Sequence, residues 1–273
     1  MQRLVYVLIV LLMSASLRAQ SDFDLSQRWF NEAIYNPAAT GNAFTTSVFL
    51  QMRRQWVGLD KAPFTGVVSG DVFMEKISSA VGFSFNADKV GFTQMYNARF
   101  AYAYYIPLSE NRSVLSLGLS ASLLNRNIDV NDALIVDPDD PILPLKNKSE
   151  FNPDFDFGIE YQGLFKFGIV MRHLLTIKET EYFPKHSRNL WAYASSRFNL
   201  TNKISIEPTV SYTLRDNISR FEAGSIFYFL RTNSENSYND KIWAGIMYRF
   251  NDQFSIMAGM HVTSQIRIGY SFD

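Results

Sequence analysis

From Thr45 to the last residue the chain alternates large apolar with small polar side chains at a period of two, and no period of 3.6 lasts beyond a turn. Such a chain is confined to strands. In Ser113 to Leu123, Leu115, Leu117, Leu119, Ala121 and Leu123 share one face, and Ser116, Gly118, Ser120 and Ser122 the other. Val81, Phe83 and Phe85 oppose Gly82, Ser84 and Asn86, while Phe155, Phe157, Ile159 and Tyr161 oppose Asp156, Gly158 and Glu160. Ile204, Ile206, Val210, Tyr212 and Leu214 oppose Ser205, Glu207, Thr209, Ser211 and Thr213; Ile266, Ile268, Tyr270 and Phe272 oppose Gln265, Arg267, Gly269 and Ser271. A soluble sandwich also alternates, but its wet face is commonly rich in Lys, Glu and Thr. Here the polar face is small or hydroxyl-bearing, with scattered charges of both signs. That is the pattern of an all-β transmembrane antiparallel β-barrel, apolar side to lipid and polar side to the lumen.

Thirteen segments are readable: 45–55, 65–73, 80–87, 93–106, 112–126, 153–161, 164–175, 189–198, 203–214, 219–230, 241–250, 253–261 and 265–272. Single-chain bacterial barrels have even strand numbers, so the count predicts a strand missed or absent. Short turns belong to the periplasmic side and long loops to the outer side. Pro107 to Asn111, Gln162 to Leu164 and Asn199 to Asn202 are the expected periplasmic turns; Arg126 to Asn152 and Thr176 to Arg188 are the expected outer loops. The first and thirteenth segments then both run outward. Asn251-Asp252 makes an unusually tight outer turn and Arg231 to Asp240 a longish periplasmic one. Around Gly163, setting Tyr161 against Phe165 puts Glu160 opposite Lys166 and Asp154 opposite Arg172, all inward. Tyr102, Tyr104 and Tyr105, Phe227 to Phe229, Tyr248 with Phe250, and Tyr270 with Phe272 gather at segment ends, where aromatic girdles favour the headgroup boundary.

The chain's start has another character. Arg3 precedes an apolar run from Leu4 to Met13, followed by small residues up to Ala19. Ten apolar residues cannot cross a bilayer as a helix. Residues 1–19 read as a cleaved secretory signal peptide, cut after Ala19. Residues 20–44 lack the strand pattern and read as a non-barrel segment that plugs the lumen, folds below the barrel or contacts a partner; residues 45–273 read as the outer-membrane β-barrel. The 26 basic side chains equal the 26 acidic ones, which argues against a nucleic-acid partner. Zero cysteines exclude disulfide scaffolds, zinc ribbons, thiol catalysis and a lipid-modified amino terminus.

Catalytic chemistry finds little support. His173 takes the outward parity of Phe167, Ile169 and Met171, His186 falls in a solvated loop, and His261 at the lumen or rim. A Ser–His arrangement using Ser195 is not selected by spacing over chance. The acidic run Asp137 to Pro141 has no spaced ligand set or Gly pivot and reads as a solvated loop rather than a calcium site. Arg54 and Trp56 flank the first outer turn; the simpler reading is a rim anchor, the alternative a docking or gating rim. Gly58 and Pro63 are turn residues. No phosphate loop, metal cluster or nucleotide fingerprint stands out, and no cofactor is expected.

Tyr35-Asn36-Pro37-Ala38-Ala39-Thr40-Gly41, Arg54-Gln55-Trp56-Val57-Gly58 and Ala62-Pro63-Phe64-Thr65 together resemble the opening of the PorP/SprF family of type IX secretion membrane proteins of Bacteroidota. Asp88 and Gly91 match that family's following pattern, and Lys241 to Arg249 with Arg267 to Ser271 its late hairpins. The resemblance implies a non-enzymatic outer-membrane component of the machinery that exports proteins bearing a C-terminal sorting domain. Its implied partners are membrane lipid, periplasmic secretion-machinery subunits and a large secreted adhesin, as in gliding motility. It also implies fourteen strands, and a chain ending at Asp273 is then expected to lack its closing strand. From the residues alone, a diffusion channel for small solutes stands as the alternative.

Overall fold

The computed structural model describes residues 25–59, 61–108, 113–130, 146–175, 177, 180, 182–183, 185–216, 218–230 and 240–273. The expected signal peptide and the acidic run 137–141 fall outside them.

Within the described residues, fourteen strands form one antiparallel sheet. They are β1 (Thr46–Arg54), β2 (Phe64–Met74), β3 (Ser79–Val90), β4 (Thr93–Pro107), β5 (Val114–Ile128), β6 (Lys148–Gln162), β7 (Lys166–Arg172), β8 (Asn189–Ser195), β9 (Phe198–Thr201), β10 (Ile204–Arg215), β11 (Ile218–Leu230), β12 (Asp240–Arg249), β13 (Gln253–His261) and β14 (Arg267–Phe272). Each pairs with its sequence neighbour, except that β8 and β9 both pair with β10. Among the described residues no helix is long and apolar enough to cross a membrane.

The fourteenth strand arises from a break, not from an added return. Segment 189–198 breaks at Ser196 and Arg197, opposite Pro208 and Glu207 of β10, and β9 then takes up Phe198 and most of Asn199 to Asn202, which the sequence marks as a turn. Pro208 has no N–H to give that ladder, and the neighbouring strand interrupts where the donor is missing. β6 begins five residues before the expected Pro153 boundary. Pro153 is accommodated because β7 pairs only with Phe157 to Gln162, leaving Pro153 a ladder on the β5 side alone. β7 stops at Arg172 because His173 is left-handed, φ 58°.

The two faces separate by chemistry. Phe83, Phe100, Leu119, Phe157, Val210, Ile246 and Ile268 stand exposed on one side, whereas Ser84, Arg99, Ser120, Asp156, Ser211 and Ser255 are buried on the other. An exposed apolar surface of this extent is what a lipid-facing wall requires. The sheet curls so that its opposite parts meet one central segment: Asn31 bonds Ser69 of β2, while Phe30 lies 4.2 Å from Trp243 of β12. β1 and β14 run in the same direction, and Arg53 meets Asp273 at 2.8 Å. Among the described residues no backbone ladder joins these two strands.

The hairpin around Gly163 is displaced by two residues from its expected register. Lys166 faces Gln162, Glu160 faces Gly168, and Tyr161 faces Phe167. Gly163 N–H donates to the Phe165 carbonyl, making the turn longer than a two-residue one. The charges do point inward, but they find other partners.

Candidate functional site

The lumen is occupied. Residues 25–44 form three short 3-10 turns, Arg28–Phe30, Glu32–Ile34 and Pro37–Ala39, and most of their side chains are buried inside the sheet. Asn36 starts the third turn, its side chain accepting the Ala38 N–H at 3.0 Å, with Pro37 at the first helical position where no N–H is needed. Gly41, at φ 84°, ends the run in a conformation that favours glycine, and a side chain there would overlap Ala80 of β3.

This segment is hydrogen-bonded to seven strands. Asn31 donates to Ser69 of β2 at 2.7 Å. Arg99 of β4 donates to the Ile34 carbonyl, and Tyr105, also of β4, to the Thr40 carbonyl at 2.6 Å. Ser116 of β5 donates to the Ala38 carbonyl at 2.8 Å, and Asn42 to Glu160 of β6 at 2.7 Å. Lys166 of β7 pairs with Glu32 at 2.5 Å, Asn36 donates to the Tyr193 hydroxyl of β8 at 3.0 Å, and Arg28 pairs with Glu222 of β11 at 2.8 Å. These contacts order the segment along the barrel. Ser26 bonds Asp273 at the end carrying the two longest loops, whereas Asn42 reaches Glu160 near the short Gly163 turn.

Two features fit the wall to the segment. Gly118 of β5 and Gly158 of β6 are direct register partners. A side-chain carbon on Gly118 would overlap the Pro37–Ala38 backbone, and one on Gly158 would overlap the Asn36 amide. Bare backbone at this spot is what lets the 3-10 turn lie flat on the sheet. The second feature is an aromatic cluster. Trp29 meets Trp191 at 6.3 Å and Tyr193 at 6.2 Å, Tyr35 meets Trp191 at 5.6 Å, and Trp191 stacks on Tyr193 at 4.2 Å. Each such pair contributes about 0.5–1.5 kcal/mol beyond its buried area.

Glu160 is fully buried and is satisfied by Asn42, Gln162 at 2.8 Å, and the Tyr193 hydroxyl. Glu222 takes both Arg28 and Arg249, the latter at 3.1 Å, and Asp156 pairs with Arg99 at 3.2 Å. A buried carboxylate deprived of one such partner loses about 3–5 kcal/mol, since the charge is left unpaired.

A family model described as "Type IX secretion system membrane protein PorP/SprF" matches residues 17–273. The chain belongs to this family. PorP/SprF membership makes it an outer-membrane component of the type IX secretion system. No curated protein matches the chain. Among solved structures it is similar to BamA from Haemophilus ducreyi lacking POTRA domains 1–3, at 10% identity and TM-score 0.40, covering 94% of this chain and 76% of that one.

The positions read in the sequence as matching the family's motifs fall into separate places. Tyr35, Asn36, Pro37 and Gly41 are in the lumen segment; Tyr35 also accepts the Leu25 N–H at 3.1 Å and lies under Arg172. Thr65 and Asp88 face each other across β2 and β3 on the inner wall and share a hydrogen bond of 2.5 Å. Arg54, Trp56 and Gly58 are exposed at the β1–β2 connection, while Pro63 is buried and its carbonyl accepts the Gln55 N–H at 3.0 Å. Gly91, at φ 59°, turns the β3–β4 hairpin.

Sequence reasoning missed the wall partners Arg99, Ser116, Tyr193 and Glu222, and the lumen residues Arg28, Glu32 and Asn42. It also placed aromatic clusters at the headgroup boundary. Of the end-of-segment clusters, Tyr102 and Tyr104 are exposed as expected, but Tyr105 and Tyr228 are buried inside, together with Trp191, Tyr193 and Trp243, to which the sequence assigns no side. His173 and His186 need correction as well: both are buried, because the left-handed turn at His173 swings its ring inward and His186 folds back beside it.

Proposed function

We propose that this protein works by protein contact and not by solute conduction, supporting export or surface attachment of cargo that bears a C-terminal sorting domain, such as a large adhesin. One observation carries the reading: residues 25–44 fill the lumen and bond to seven strands of its wall. A solute channel needs that space open. The acting surfaces are then the two ends of a filled barrel. Short turns face the periplasm by the usual sidedness of such barrels, where machinery subunits dock, and the longer loops face the cell surface, where cargo emerges. The role is non-enzymatic, and residues 1–19 serve as the cleaved export signal.

Deleting the gene tests this. Sorting-domain proteins are expected to accumulate inside the cell while barrels unrelated to the machinery assemble normally. Wild-type levels of every such protein in the medium and at the surface would refute the proposal.

A further inference from the structure

Apart from the lumen segment, one buried cluster brings together ligating side chains that the secretion role does not use. Asp154 of β6, His173 just beyond β7 and His186 in the following loop are all buried, and one ligand atom from each lies within 4.8 Å of the others. His173 Nδ1 is 2.5 Å from Asp154 Oδ2 and 3.1 Å from His186 Nε2.

The surroundings hold these groups in place. Asp154 Oδ1 accepts the backbone N–H of Phe155 at 2.8 Å and of Leu175 at 3.3 Å, which leaves Oδ2 turned toward the imidazoles. The left-handed backbone at His173 aims its ring inward, and its N–H donates to Asp156 at 3.0 Å. His186 is returned to the wall by an antiparallel bridge with Ile177, closed by backbone hydrogen bonds of 3.1 and 3.0 Å. Lys185 meets Asp216 at 3.4 Å, and the Ser187 hydroxyl with Lys185 holds that carboxyl below its usual range.

The geometry points to a divalent transition-metal site, Zn²⁺ being the best fit, that fastens the β7–β8 loop to the inner wall at the long-loop end. A single proton on His173 Nδ1 serves Asp154 and meets His186 only as a second, longer acceptor. A cation binding here displaces that proton to solvent and takes a lone pair from all three atoms. Two imidazoles and one carboxylate suit zinc-like ions, whereas Mg²⁺ and Ca²⁺ prefer all-oxygen sets. With metal–ligand bonds near 2.0–2.1 Å, tetrahedral donors stand about 3.3 Å apart, close to the present His–His spacing. The Asp154–His173 contact has to open by under about 1 Å, the Asp154–His186 pair, within 4.8 Å, has to settle to the same spacing, and a water completes the shell. The inference is independent of the secretion role.

Calorimetric titration of ZnCl₂ into the tag-free, chelator-stripped full chain in detergent tests it, with Co²⁺ absorption reporting ligand geometry. One equivalent is expected to bind, with tetrahedral Co²⁺ bands and slower proteolysis of loop 173–188. H186A and H173Q should each weaken binding by at least about tenfold, as loss of a ligand does. H261A, at the far end of β13, should bind as wild type. Each variant's heat-modifiable gel mobility shows whether it is folded. Absence of binding by the wild type, unchanged binding by folded H186A, or equal competition from Mg²⁺ would overturn the assignment.

Discussion

At the residue scale, the Gly118–Gly158 pair decides whether the lumen segment can lie against the wall. Adding side-chain atoms to a filled interior costs about 1–3 kcal/mol. Gly158→Val should therefore lower stability by about that much in urea titrations of the micellar barrel, and should make residues 25–44 more sensitive to protease. Glu160→Gln should cost about 1.5–3 kcal/mol, the range for a hydrogen bond to a charged group, because Tyr193, Asn42 and Gln162 all donate to that carboxylate. Neither role was legible in the sequence. A glycine among serines on an alternating face looks like any small lumen residue; only register sets Gly118 beside Gly158 and both beneath Pro37. The buried histidines escaped for a related reason: strand parity stops predicting side-chain direction once one residue turns left-handed, as at His173.

At the scale of elements, the alternation was readable because lipid demands it on every strand. Leu119 lies near the middle of β5 and is 53% exposed on the apolar face. Leu119→Arg should destabilise the barrel by about 2–4 kcal/mol, the range for a cation near the bilayer midplane, again read by urea unfolding. Strand ends were less readable where proline appeared. Pro153 sits inside β6 and Pro208 inside β10, each tolerated only because a neighbouring ladder is missing or broken there. The lumen segment had no period to follow, and its position depends on contacts scattered over seven strands. Its docking is checked by pairing cysteines in a chain that has none: Asn31→Cys with Ser69→Cys should be bridged by a short bifunctional thiol reagent in the intact barrel, since the Asn31 amide and the Ser69 hydroxyl already meet at 2.7 Å. Failure of that reagent to bridge the pair in the folded barrel would mean that the segment lies elsewhere.

For the whole molecule, what matters is the combination of an apolar outer wall with a filled interior. The outer wall, the family and the secretion-system setting could all be read in the residues, because the bilayer imposes a repeating pattern and the stretch from Tyr35 to Thr65 resembles the family's opening. That the inner wall is aromatic as well as polar could not be read, since Trp191 and Trp243 are ordinary strand residues until a second aromatic surface, from Trp29, Phe30 and Tyr35, meets them. A barrel so filled should be electrically silent. Conductance of the purified wild-type chain in planar lipid bilayers measures this directly. The lumen segment predicts current indistinguishable from the bare membrane at moderate voltage, whereas a steady ohmic conductance from the wild-type chain would contradict it.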